Sequence, residues 1–178
     1  MHAWHDISAG NNAPEIVNSI IEIPKNSKAK FEIDKLTGLI KLDRVLYSSV
    51  HYPTNYGFIP QTLCDDGDPL DILVISTEIL PSLCLVECKV IGAFNMTDQG
   101  KQDTKILAVP SNDVGFSHVE HYQDLRPHLL IEIRNFFEIY SNLENEVIVV
   151  GELFGPTAAY KMIEADMLKY QEKFIKKY

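Results

Sequence analysis

Pro127-His128-Leu129-Leu130-Ile131-Glu132-Ile133-Arg134-Asn135-Phe136-Phe137-Glu138-Ile139-Tyr140 is where this sequence changes its rhythm. Proline is favoured at the first position of a helix, and Leu129, Leu130, Ile133, Phe136, Phe137 and Tyr140 recur at helical spacing, so a helix starts at Pro127. Upstream the period is two. Ile21 and Ile23 flank Glu22, and Phe31 and Ile33 alternate with Lys30, Glu32 and Asp34. Thr37-Gly38 offers a turn before Leu39-Ile40-Lys41-Leu42, which makes residues 30–43 a hairpin. Leu70–Ile75, Leu83–Phe94 and Lys105–Val109 are further strands, with Gly92 marking a bend or bulge in the second. Downstream, Val147–Val150 form a short strand. A second helix then runs from Thr157 into a lysine-rich tail, with Met162, Ile163, Met167, Tyr170 and Phe174 as its apolar stripe. Strands first and helices last predict an α+β fold, a curved sheet or small barrel with helices packed outside.

The chain has 178 residues, which suits one domain spanning 1–178. Its net charge is −9, from 16 Lys+Arg against 25 Asp+Glu. A field of that sign disfavours nucleic acid and anionic membrane surfaces as partners, and an anionic substrate would need cations or a basic pocket. Met1-His2-Ala3-Trp4-His5-Asp6 does not read as a secretory signal. No apolar run approaches the roughly 20 residues that span a bilayer. Cys64, Cys84 and Cys88 are odd in number and lack zinc-type spacing, so they read as reduced thiols in a cytoplasmic protein, with Cys64 packed beside the loop described next.

That loop is Cys64-Asp65-Asp66-Gly67-Asp68-Pro69-Leu70-Asp71. Residues 65–71 hold four carboxylates where the average composition supplies about one. Like charges this dense repel unless water or a cation neutralises them, so a solvated turn and a metal loop compete for the reading. Calcium fits poorly: counting from Asp66, the fifth and twelfth positions of an EF-hand fall on Leu70 and Thr77. Asp98 and Asp103, followed by Lys105, form a second acidic constellation in what reads as a loop entering a strand. Lys30 and Glu32, two apart on a strand, project from one face. His118, Glu120 and His121 lack a well-spaced third ligand and read as surface groups, and Trp4 as part of an amino-terminal segment lying against the body.

Taken in order, Ile21-Glu22-Ile23-Pro24, Lys30-Phe31-Glu32-Ile33-Asp34-Lys35, Asp43-Arg44, Tyr52-Pro53-Thr54-Asn55-Tyr56-Gly57, Asp66-Gly67-Asp68-Pro69-Leu70-Asp71, Met96-Thr97-Asp98 and Asp103-Thr104-Lys105 resemble the family I soluble inorganic pyrophosphatases of bacterial type. The likeness covers nearly the whole chain. It implies a five-stranded OB-like β-barrel flanked by helices and Mg²⁺-dependent hydrolysis of pyrophosphate in a homo-oligomer, commonly a hexamer. It also implies roles. Asp66, Asp71 and Asp103 match the main metal ligands, Asp98 a further one, and Glu32, with Glu22 behind water, the support of another. Asp68 matches the general base. Lys30, Arg44, Tyr56, Lys105 and Tyr140 match the groups that hold the phosphates.

The residue chemistry is consistent with these roles. Magnesium takes few carboxylates and keeps several waters, which suits aspartates spread over separate loops. Phosphoryl transfer needs positioning and charge stabilisation above all. One position departs from the family: lysine usually follows Phe136-Phe137-Glu138-Ile139-Tyr140, and here Ser141 does. No basic residue lies between Arg134 and Lys161 to replace it, which predicts weaker phosphate binding. Two other readings of the residues are a hydrolase of larger diphosphates such as nucleotides and a non-catalytic OB-like binding module. The first lacks a glycine-rich phosphate loop of the Walker type, and the net charge of −9 and the acidic loops disfavour the second, which would need a basic groove.

Overall fold

The computed structural model describes residues 1–98, 100–145 and 147–175, with the side chains of Asp98 and Lys101 outside that description. Its strands are β1 (Ile16–Ile23), β2 (Ala29–Ile33), β3 (Ile40–Val45), β4 (Asn55–Phe58), β5 (Asp71–Val74), β6 (Leu85–Asp98), β7 (Lys101–Pro110) and β8 (Ile148–Phe154). The α-helices are α1 (Pro127–Ile139) and α2 (Pro156–Tyr170). Hydrogen bonding links β1, β4, β5, β7 and β6 in that order, and β6 pairs back onto β1. The five strands therefore form a closed ring, as the OB-like expectation requires. The β5–β7 pair is parallel and the other ring pairs are antiparallel. On the edge away from β7, β6 serves two further partners, β1 through Leu85–Lys89 and β8 through Ala93–Asp98. β2 and β3 form a separate two-stranded sheet.

The apolar runs explain the layering. Ile72, Leu73 and Val74 on β5 and Ile106, Leu107 and Ala108 on β7 are all buried, as a strand covered on both faces demands. Leu73 and Leu107 join Phe94, Ile133, Phe136 and Phe137 in a cluster that takes in α1. Their neighbours Ile72, Val74, Ile106 and Ala108 join Ala159 and Ile163 of α2 in another. Period-two alternation thus sends successive side chains to opposite helices. Each fully buried Ile or Leu contributes on the order of 1.5–3 kcal/mol. Gly57 is required where β4 crosses β1, because a Cβ there would lie 1.9 Å from the Ile20 carbonyl oxygen.

Several boundaries differ from the sequence reading. Much of the stretch from Met96 to Lys105, read as a loop leading into a strand, is instead paired strand at the end of β6 and the start of β7, with Met96 opposite Asp103 and Thr97 opposite Gln102. Cross-strand pairing overrides polar composition there. β4 was not foreseen, because four residues containing Asn55 and Gly57 carry little strand signal. Gly92 does mark an irregularity: the β6–β7 register shifts between Val90 and Gly92, and a Cβ on Gly92 would meet the Phe154 carbonyl oxygen at 2.6 Å. Trp4 is buried and donates its indole N–H to the Thr62 carbonyl at 2.9 Å, so the amino-terminal segment does lie on the body. Phe174, the last residue of the apolar stripe read for the second helix, is not core: it is 42% exposed and packs on Trp4 and Tyr170. Among the described residues, no helix is long and apolar enough to cross a membrane.

Candidate active site

A cavity of about 230 Å³ opens between the closed ring, the β2–β3 sheet and the end of α1. Ten of the twelve residues singled out from the sequence line it: Glu22, Lys30, Glu32, Tyr56, Asp66, Asp68, Asp71, Asp103, Lys105 and Tyr140. Arg44 stands just outside the lining, on β3, and the side chain of Asp98 lies outside the described residues.

Its floor comes from the ring. The parallel register sets Asp71 of β5 beside Lys105 of β7, and Asp103, two residues before Lys105, shares its face. The Lys105 ammonium, in a side chain only 4% exposed, donates to Asp71 and, at 2.7 Å, to both oxygens of Asp103. It also stands 5.8 Å above the centroid of the Tyr56 ring, within cation–π range. Burial opposes the charge on Lys105, but the two carboxylates outweigh it and raise its pKa. Burial pushes the Asp103 carboxyl up to about 6, against the pull of Lys105. Glu22 on β1 is buried, accepts the Ile33 backbone N–H at 2.6 Å, and is pushed up to about 8 by burial and then by the charge of Asp71.

The acidic loop is a tight turn. Gly67, at φ 92°, lets its N–H reach the Cys64 carbonyl, and the Cys64 N–H donates to the Asp68 carbonyl at 2.8 Å. The turn sorts its four carboxylates. Asp65 points to α2, where Lys169 holds it at 2.8 Å, while Asp66, Asp68 and Asp71 open on the cavity. Asp68 is ion-paired with Lys35 of the β2–β3 turn.

The rim is the β2–β3 sheet. Lys30 lies opposite Arg44, and the register shifts between Lys30 and Phe31, leaving Asp43 as the extra residue. Asp43 Oδ2 then lies 2.7 Å from Arg44 Nη1 and 3.4 Å from Lys30 Nζ. Lys30 also donates to Glu32 at 2.6 Å, and Arg44 Nε pairs with Glu144 at 2.8 Å. Burial opposes the Lys30 charge, but the bond to Glu32 and the charges of Glu32 and Asp43 leave its pKa raised. The sequence reading missed Tyr52 and Lys35, both in the lining. Each sat in a quoted block, Tyr52 four residues before Tyr56 and Lys35 at the end of the β2 block, but neither had a signal beyond that position.

The lining holds six carboxylates, Glu22, Glu32, Asp66, Asp68, Asp71 and Asp103, against three lysines, Lys30, Lys35 and Lys105. That imbalance and an all-oxygen acidic donor set suit a hard divalent cation. Among the described residues, no three carboxylate, imidazole or thiol groups are gathered closely enough to hold an ion as they stand, and Lys105 occupies the space between Asp71 and Asp103. His121, set aside as a surface group, accepts the Gln123 N–H at the start of a short turn of helix.

A closed five-strand ring whose parallel pair carries an aspartate–lysine–aspartate cluster, faced by a rim that bears Lys30 and Arg44, has the charges that suit a polyanion together with cations. Residues 19–171 match the family model described as inorganic pyrophosphatase. Soluble inorganic pyrophosphatase 2 of Chlamydomonas reinhardtii is 46% identical over 174 residues, covering 98% of this chain and 91% of the relative. Soluble inorganic pyrophosphatase 4 of Arabidopsis thaliana is 48% identical over 171 residues, covering 96% and 79%. The crystal structure of inorganic pyrophosphatase from Thermus thermophilus superposes with a TM-score of 0.91 at 37% identity, covering 95% of this chain and 99% of that one. The chain belongs to the inorganic pyrophosphatases, a family of enzymes.

Proposed function

We propose that this chain hydrolyses inorganic pyrophosphate to two phosphates in the cavity described above, with Mg²⁺ as its cofactor. The observation that carries the reading is the convergence of Asp66, Asp68, Asp71 and Asp103 with Lys30, Lys105, Tyr56 and Tyr140 on one cavity, in a chain of this family.

Asp66, Asp71 and Asp103 would hold the metal, drawing the latter two from Lys105, with Asp98, Glu32 and Glu22 supporting further ions. When bound, such ions supply positive charge that lowers the pKa of water and offsets the charge of the phosphates. Asp68, at the open end of its turn, takes the proton of the attacking water. That water's oxygen bonds to one phosphorus while the bridging P–O bond breaks, leaving two phosphates. Lys30, Arg44 and Lys105 bind the phosphoryl oxygens by charge, and Tyr56 and Tyr140 by hydrogen bonds that add no charge. Lys105, once released from its aspartates, is buried beside Tyr56 and holds its substrate where water screens little.

The family likeness supports a working form in which a single domain acts in a cytoplasmic homo-oligomer, a hexamer. The test is phosphate release from pyrophosphate across a magnesium titration that begins in chelator. Release should rise from near zero with added Mg²⁺. A folded protein that releases none at any Mg²⁺ concentration would contradict the proposal.

A further inference from the structure

The lining cations of the cavity are all engaged. Lys30 holds Glu32 and Asp43, Lys35 holds Asp68, and Lys105 holds Asp71 and Asp103. Arg44 is the next cation outward. It is near enough to two tyrosines of the cavity wall for its charge to bear on Tyr52 and for that of Tyr140 to bear on it. It nevertheless stays out of the lining, clamped from two sides. Asp43, the bulged residue of β3, holds Nη1 at 2.7 Å, and Glu144 holds Nε at 2.8 Å through one oxygen and 3.0 Å through the other.

Glu144 reaches Arg44 from a hundred residues away, and its own placement is fixed. It ends a single turn of 3-10 helix, Asn142–Glu144, whose N–H donates to the Ser141 carbonyl at 2.8 Å. Asn145 follows in the left-handed region at φ 62°, a conformation asparagine tolerates. The Glu144 side chain is only 13% exposed, so its charge is poorly screened. The same segment brings no cation of its own. Ser141 is fully buried, with no hydrogen-bond partner for its hydroxyl among the described residues, and residues 135–160 contain no lysine or arginine.

We infer that Glu144 is a positioning residue that holds the Arg44 guanidinium back from the cavity, so that a phosphate must displace its carboxylate before Arg44 can bind. The inference rests on the pyrophosphate reading of the site. It makes affinity for substrate, and for the phosphate product, a competition between two anions for one guanidinium. A carboxylate and a phosphoryl group offer the same planar fork a similar pair of oxygens, so the exchange needs no rearrangement of β3.

Glu144→Gln keeps the shape and removes the charge. At saturating Mg²⁺ the variant should lower KM for pyrophosphate about 3- to 10-fold, the range of a partly exposed ion pair. kcat should stay level or fall, because phosphate leaves more slowly. Direct calorimetric binding of imidodiphosphate, a non-hydrolysable analogue, should tighten by a similar factor. In an Arg44→Gln background the same change at Glu144 should have no effect on either quantity. A KM that is unchanged or raised in the single variant would overturn the inference, as would an equal gain with and without Arg44, which would mean that loss of one negative charge acts from a distance. Parent protein that releases no phosphate would overturn the function and this inference together, whereas an active parent with an unresponsive Glu144→Gln would overturn the inference alone.

Discussion

The floor and the rim of the cavity are built from the same few residue types and behave differently. On the floor, Lys105, Asp71, Asp103 and Glu22 sit on strands of the closed ring, where burial raises the pKa of Glu22 to about 8 and of Asp103 to about 6. On the rim, Lys30, Glu32, Asp43 and Arg44 sit on a two-stranded sheet outside the ring, and Lys35 and Asp68 meet with about half of each side chain in water. Floor charges are fixed in place and costly to leave unpaired, so their protonation and pairing are part of the fold. Rim charges exchange partners at little cost, each exposed pair contributing about 0–1 kcal/mol. A site that must take in a polyanion and release two smaller ones benefits from both: a rigid charged base and an adjustable edge.

The largest effect should come from the floor. Lys105→Met leaves Asp71 and Asp103 facing each other without their cation and should cost about 3–5 kcal/mol in urea unfolding in the presence of chelator. Added Mg²⁺ should recover more stability in this variant than in the parent, because both carboxylates are then free to bind it. A variant as stable as the parent in chelator would show that the floor is no more sensitive than the rim.

Glu22 separates the two regions by pH. Its carboxyl has an ordinary value of 4.5 and is raised to about 8 in the folded protein by burial and the charge of Asp71. The folded state therefore keeps a proton that the unfolded chain has released. The contribution is fully present below about pH 4.5 and is lost as pH rises through about 8. In chelator, parent stability should carry from this group a decline of up to about 1.4 kcal/mol per pH unit across that window. Glu22→Gln should flatten the profile and be at its relative best near pH 8; the same slope in both proteins would remove Glu22 from the floor's electrostatics.

Ser141 offers the smallest effect. Its hydroxyl is buried with no partner among the described residues. Ser141→Ala should accordingly leave stability unchanged or raise it by about 1 kcal/mol, read from the urea midpoint. A loss of more than that would mean the hydroxyl is satisfied in solution. The burial also bears on the lysine that the family usually carries at this place: a lysine stem here must leave a closed position before its charge reaches the cavity.

Most of this architecture was legible because its signals are local. The α1 stripe from Leu129 to Tyr140, the alternation of β2 and the continuous apolar run of β5 each declare their element within a few residues. β4 and the full length of β6 and β7 were not legible, since their pairing depends on partners far along the chain. The site divides the same way. The acidic loop announced itself by charge density, whereas Arg44, Tyr56 and Tyr140 were singled out only through family likeness. The Arg44–Glu144 clamp had no signal at all, because nothing in either local stretch says that residues a hundred apart will meet.

Asp68 tests the account most directly, because it lines the cavity with Asp66, Asp71 and Asp103 yet contributes little to the fold through its exposed pair with Lys35. Steady-state phosphate release from pyrophosphate should be compared between the parent and Asp68→Asn at saturating Mg²⁺. The account predicts rapid release by the parent and a kcat lower by about 10²–10⁴ in the variant, with unfolding midpoints close together. A variant that turns over as fast as the parent would contradict both the assignment of Asp68 as the base and this cavity as the place where pyrophosphate is cleaved.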